Sequence, residues 1–161
     1  MDLRAWLHEV AAGEGTDVPC GECDACCRSG MFVHVEPDEV DALRRIPKAL
    51  QFPAPGLPKG HVVLPYDGHG RCPMLTDAGC SIYAHRPRTC RRFDCRVFAA
   101  AGLEPDAPLI AAAVRRWRFD PADEPVLVTI RGRAAAGTGR AADRAIAAVL
   151  QAATDQATAS P

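Results

Sequence analysis

Eight cysteines in 161 residues are the side chains here most able to do chemistry. Cys20, Cys23, Cys26 and Cys27 form a C-x2-C-x2-C-C run, and Cys72, Cys80, Cys90 and Cys95 follow with seven, nine and four residues between them. Two intervening residues let a tight turn aim two sulfurs at one ion about 2.3 Å away, with backbone N–H groups solvating the thiolates. Thiolates are soft donors, suited to zinc, iron–sulfur clusters or copper(I). All eight cysteines are therefore candidate metal ligands. Side chains of adjacent residues diverge, so Cys26 and Cys27 need not serve the same ion. Eight thiols could furnish two four-sulfur sites, or one cluster plus accessory or redox thiols.

Other uses of the cysteines fit less well. The N-terminal stretch lacks the basic start and apolar core of a secretory signal, so a reducing cytoplasm is expected, where disulfides are rare. Simple packing does not explain four cysteines within eight residues. The C-x2-C-x2-C portion is similar to that of bacterial ferredoxins. It departs from them because Cys27 follows at once, and the Cys-Pro pair comes only at Cys72-Pro73. Arg86, Arg88, Arg91, Arg92 and Arg96 surround Cys90 and Cys95 in sequence. They could offset the charge of a thiolate-bound ion and lower the thiol pKa values, or form a solvated face. Nucleic-acid binding is disfavoured by a net charge of -1 and few aromatics to stack on bases. The histidines His8, His34, His61, His69 and His85 are scattered, and surface or structural roles are expected for them. There is no G-x-S-x-G, no phosphate-binding glycine loop and no H-E-x-x-H.

The elements that must position these thiols read as a small α+β fold. With 48% hydrophobic and 24% charged residues the composition excludes wholesale disorder, and the length fits one domain. Apolar runs fall far short of the ~20 residues that span a bilayer, so no membrane contact is expected. Aromatics are few, so something besides apolar burial must organise part of the fold. Alanine runs with abundant Arg and Pro suggest a GC-rich bacterial genome.

An amphipathic helix is expected over 1–12, with Leu3, Trp6, Leu7 and Val10 at helical spacing. Met31–Val35 reads as a strand. Glu36-Pro37-Asp38-Glu39 reads as a helix start, its acids suited to a helix N-terminus, with Val40, Leu43 and Ile46 facing inward. The stretches His61–Pro65 and Arg71–Leu75 flank Asp67-Gly68-His69-Gly70 and suggest a β-hairpin. A short helix is expected around Pro87–Arg92, and another over Pro108–Trp117 with Leu109, Ala113, Val114 and Trp117 on one face. Pro125–Ile130 fits strand or helix. Thr138 could cap a last helix running to about Gln151 and packing Ile146, Val149 and Leu150. The expected organisation is an N-terminal helix at 1–17, a cysteine-cluster domain at 18–98, a helical extension at 99–153 and a flexible tail at 154–161.

Three segments together carry a more specific likeness. They are Cys20-Gly21-Glu22-Cys23-Asp24-Ala25-Cys26-Cys27, then Cys72-Pro73-Met74-Leu75, then Gly79-Cys80-Ser81-Ile82-Tyr83-Ala84-His85-Arg86-Pro87-Arg88-Thr89-Cys90-Arg91-Arg92-Phe93-Asp94-Cys95. Over about residues 18–98 the chain resembles the YkgJ-type CxxCxxCC cysteine-cluster family, a zinc- or iron-chelating domain. Members often carry Cys-Gly where this chain has Cys23-Asp24. The resemblance implies metal chelation without settling zinc against iron. A related, longer flagellin lysine methylase carries such a cluster as an iron–sulfur centre, and no methyl-donor site is visible here.

The sequence thus predicts a small, irregular, metal-stapled α+β domain with a short hairpin and packed C-terminal helices. Its expected function is chelation of Zn2+ or iron in the cytoplasm, with metal supplying about 10 kcal/mol or more of folding free energy. An iron–sulfur-dependent redox or protein-modifying enzyme, and a metal buffer or chaperone with a protein partner, are the alternatives.

Overall fold

A computed structural model describes residues 1–13, 16, 18 and 20–159. In chain order the elements are α1 (Leu3–Ala12), β1 (Val33–Val35), α2 (Val40–Arg45), β2 (Phe52–Pro53), β3 (Val62–Leu64), β4 (Leu75–Thr76) and β5 (Gly79–Cys80). Then come α3 (Arg88–Arg92), α4 (Arg96–Ala101), α5 (Pro108–Val114), α6 (Glu124–Ala136) and α7 (Ala141–Ala159). The mixture of helix and strand is the one expected, with small sheets and C-terminal helices. The last residues of the expected tail, 160–161, lie outside the described residues, as do 14, 15, 17 and 19. The chain divides into two compact units. A helical unit joins Met1–Thr16 to Asp94–Pro161, and a cysteine unit runs over Asp17–Phe93.

In the cysteine unit three short antiparallel strands lie in the order β1-β3-β2, with Val33 opposite Leu64, Val35 opposite Val62 and Phe52 opposite Val63. The two-residue period of a strand puts Val33, Val35, Val62 and Leu64 on one face. That face meets Ala42, Ile46, Met74 and Ile82 in a small core, against which Cys72 and Cys80 also pack. β4 and β5 form the short hairpin, Leu75 opposite Cys80. The expected hairpin between 61–65 and 71–75 does not form, because β3 pairs with β1 and β2 instead. The Asp67 carboxylate turns the chain locally, its Oδ1 accepting the N–H groups of His69 and Arg71 at 2.8 and 2.9 Å. Such side-chain bonds offer the backbone an alternative to a ladder.

The helix α2 begins at Val40, just after the Glu36–Glu39 stretch expected to open it, and of the residues expected inside, Ile46 is buried and Leu43 packs on the core. Before the helix, Glu39 Oε2 accepts the N–H of Glu36 at 2.8 Å, a bond of the capping-box kind. Val40 is exposed, and Ala42 and Ile46 take the buried positions.

In the helical unit α1 packs on α7, as do α4 and α6. Asp2 caps α1 through Ala5 N–H at 3.0 Å, and Leu3, Trp6 and Leu7 are buried as expected. The ambiguous 125–130 stretch is helical, within α6. On α7 the buried stripe is Ala145, Ala148, Val149, Ala152 and Ala153, whereas Ile146 and Leu150, expected inside, are exposed. Leu109 on α5 is likewise exposed beside buried Ile110, Ala113 and Val114. Small side chains let helix axes approach closely, so alanine wins the contact face here.

One buried ion pair sits among these helices. Arg96 and Asp94 bond through Nη2 and Oδ2 at 2.8 Å with both side chains almost fully buried. Asp94 Oδ2 also accepts Trp6 Nε1 at 2.7 Å and the Thr16 hydroxyl at 2.6 Å, while the guanidinium lies over the rings of Trp6 and Trp117. A buried pair needs such additional partners to offset the desolvation of its charges.

Candidate metal centre

The first cysteine run folds as two successive turns. Cys23 N–H donates to the Cys20 carbonyl at 2.9 Å, closing the C-x2-C turn over Gly21. Cys26 and Cys27 lie on a single 3-10 turn, Cys26–Arg28. Asp24 forms an ion pair with Arg28 across that turn. The second cysteine group joins the first through the backbone, where Cys72 N–H donates to the Cys27 carbonyl at 2.7 Å. Beside that bond, Gly30 N–H donates to the Gly70 carbonyl at 2.9 Å. Gly70 has a φ of +75°, and a Cβ there would stand 3.3 Å from the Gly30 nitrogen. This close approach of two loops is a physical reason for glycine at 70.

Cys80 arrives on β5, directly opposite Leu75, which follows the Cys72 turn (Leu75 N–H to Cys72 carbonyl, 3.0 Å). Cys90 arrives on α3, which packs against β1. Cys23, Cys27, Cys72, Cys80 and Cys90 stand outside any disulfide, and each is partly accessible.

Charge links these sulfurs. Burial pushes the Cys27 thiol up from 9.0 to about 12, and negative charge on Cys72, Cys80, Asp24 and Cys20 adds to the shift. Burial also pushes Cys90 up to about 12, reinforced by Cys27, Cys72 and Cys80 and opposed by Arg86. Cys72 is raised mainly by burial and further by Cys80, against a lowering hydrogen bond from the Met74 backbone. Cys27, Cys72, Cys80 and Cys90 therefore act on one another, and Cys20 acts on Cys27. Among the described residues no three His, Cys, Asp or Glu side chains converge as ligands of one ion in their present rotamers. The donor chemistry fits a soft ion nonetheless: several thiols share one neighbourhood beside an apolar core, and each resists carrying a negative charge alone.

Other sequence candidates have separate surroundings. Cys95 belongs to the helical unit, where it is buried and accepts a hydrogen bond from Trp117 Nε1 at 3.2 Å. His34 Nε2 and His61 Nδ1 bond each other at 3.0 Å. Of the arginines, Arg86 stacks over Tyr83 and favours the Cys90 thiolate, as the sequence suggested. Arg88 pairs with Glu36 and Asp38, Arg96 with Asp94, and Arg91 and Arg92 are exposed. Sequence reasoning missed the Trp117–Cys95 bond, which no local pattern signals. It read Glu39 as a helix-start acid, although its spacing from Glu36 is the trace of a capping box.

The geometry is that of a thiol-rich domain, and the family model agrees. Residues 19–107 match the CxxCxxCC family, described as a "putative zinc- or iron-chelating domain". The match covers more than half of the chain, and the chain belongs to this family. No curated protein and no solved structure matches it. The family supports metal binding, zinc or iron, through the cysteine cluster. No helix among the described residues is long and apolar enough to cross a membrane.

Proposed function

We propose that the cysteine unit binds one zinc or iron ion through Cys27, Cys72, Cys80 and Cys90, and that this ion stabilises the unit. The Cys72 N–H bond to the Cys27 carbonyl, which with the β4–β5 hairpin brings Cys72 and Cys80 to the first cysteine turn, is the observation that carries the reading. Burial keeps bare Cys27, Cys72 and Cys90 protonated, and a dication reverses that balance and displaces their protons. Cys20, Cys23 and Cys26 share the first turn region with Cys27 and are further donors. Cys95, buried against Trp117, completes the eight thiols proposed for metal chemistry. The reducing cytoplasm is the proposed setting, since it keeps such thiols available.

A second reading is an iron–sulfur centre serving redox or protein-modifying chemistry. The favouring observation is that Cys20 couples to Cys27 as well, which gathers more thiols than one four-coordinate ion needs. Metal analysis and absorption spectroscopy on protein purified without oxygen separate the two. Stoichiometric zinc without colour supports the structural ion. Iron with acid-labile sulfide and a broad band near ~400 nm supports the cluster. Protein that takes up neither metal, even when both are supplied, overturns both readings.

A further inference from the structure

Cys90 differs from the other three thiols in how it is held. Cys27 and Cys72 are joined by a backbone bond, and Cys80 follows in the hairpin beside Cys72. Cys90 stands on α3, a helix of five residues, too short to be stable alone. Its position is set by polar contacts to remote parts of the same unit. The N–H of Arg88, first residue of α3, donates to Glu39 Oε1 at 2.5 Å. The other oxygen of that carboxylate holds Glu36 N–H, so both oxygens are used and the residue is only 8% exposed. At the next residue, the Thr89 hydroxyl donates to the His34 carbonyl on β1 at 2.7 Å. The Arg88 guanidinium adds ion pairs to half-buried Glu36 and exposed Asp38, and such partly solvated pairs contribute little.

From this we infer that Glu39 and Thr89 are positioning residues for the Cys90 sulfur. They fix the two backbone positions immediately before Cys90 to the α2 start and to β1, and so aim the fourth thiol at the other three. The inference rests on the proposed four-thiol ion. The Glu39 carboxylate touches no thiol; it acts through the α3 backbone. A glutamine at 39 keeps the shape but has only one acceptor oxygen for two N–H groups.

The test is a Co2+ titration of the full chain under reducing, oxygen-free conditions. It reads affinity, thiolate-to-cobalt charge-transfer intensity and far-UV circular dichroism on the same samples. Glu39→Gln is expected to weaken Co2+ binding about tenfold, the lower end of what outer supports of metal ligands contribute. Its charge-transfer band should fall toward that of Cys90→Ser, with the dichroism of the loaded protein unchanged. In the Cys90→Ser background the same substitution should add little, because both changes act on one sulfur. Arg88→Ala, which keeps the backbone N–H, should stay close to wild type. Wild-type affinity in Glu39→Gln, or a loss undiminished in the Cys90→Ser background, overturns the inference. Should Glu39→Gln not fold, Thr89→Val goes through the same cycle and the same outcomes decide. Absence of any thiolate band in the wild-type protein overturns the four-thiol reading itself, whereas its presence with an unaffected Glu39→Gln overturns only the clamp.

Discussion

In the helical unit α1, α4 and α6 all lean on α7, and Leu3, Trp6, Leu7, Ile130 and Val149 are almost wholly buried. Among the described residues of the cysteine unit no strand exceeds three residues, and one small core cluster gathers six buried residues with Cys72 and Cys80 packed against it. One region is organised by apolar burial around a satisfied ion pair. The other gathers polarisable donors whose charged forms are unfavourable without a counter-ion. The contrast shows that one chain can meet the cost of ordering in two ways, and that a small core leaves more to be supplied by ligands.

The largest effect expected from that contrast is on metal removal. Chelation without oxygen should sharply lower, without abolishing, hydrogen-exchange protection over β1 and β3 while helical circular dichroism from α6 and α7 persists, since metal binding adds directly to folding free energy. Cys27→Ser should do the same. Full protection in the chelated protein would show that the cysteine unit needs no ion.

Next comes pH. Cys27 and Cys90 must each release a proton to bind metal, and both sit far above neutral pH when bare, at about 12. These two alone should make apparent affinity rise about a hundredfold per pH unit between pH 6 and 8, read by competition with a chelator of known pH dependence. The sign reverses for the metal-free fold. There the raised thiol pKa values favour the neutral form, so stability is complete below the ordinary 9.0 and lost as pH climbs toward about 12. A metal-free protein equally stable at pH 8 and 11 would contradict the burial of these thiols.

Smaller effects belong to the helical unit. Asp94→Ala leaves the Arg96 guanidinium buried without its carboxylate and should cost about 3–5 kcal/mol in urea unfolding followed at the helices. Metal stoichiometry should not change. Ile130→Ala, at a fully buried site, should cost about 2–5 kcal/mol. Leu150→Ala, on the outer face of α7, should stay within about 0.5 kcal/mol. Equal costs for these two would contradict the burial of Ile130 on α6 and the exposure of Leu150 on α7.

Much of this was legible in the residues. The C-x2-C-x2-C-C run announced the thiol chemistry because ligand spacing is a local property. The acids before Val40 mark the approach to a helix start by chemistry that needs no distant partner. The errors fell where a distant surface chose between faces. Ile146, Leu150, Leu109 and Val40 are apolar at helical spacing, yet they are exposed while alanines and Ile110 beside them are buried. The 61–75 hairpin failed for a related reason: Val62–Leu64 finds β1 and β2 as partners, and strand pairing is not encoded in one strand.

By itself, then, the sequence determined the donor type, the first turn that presents it, and the helix-rich character of the C-terminal part. Only the tertiary structure decided that Cys27, Cys72, Cys80 and Cys90 sense one another, that Cys95 lies against Trp117, and that Glu39 holds the start of α3. Donor identity and turn geometry follow from neighbouring residues, whereas a charge interaction or a hydrogen bond between residues far apart in sequence exists only after the chain has brought them together.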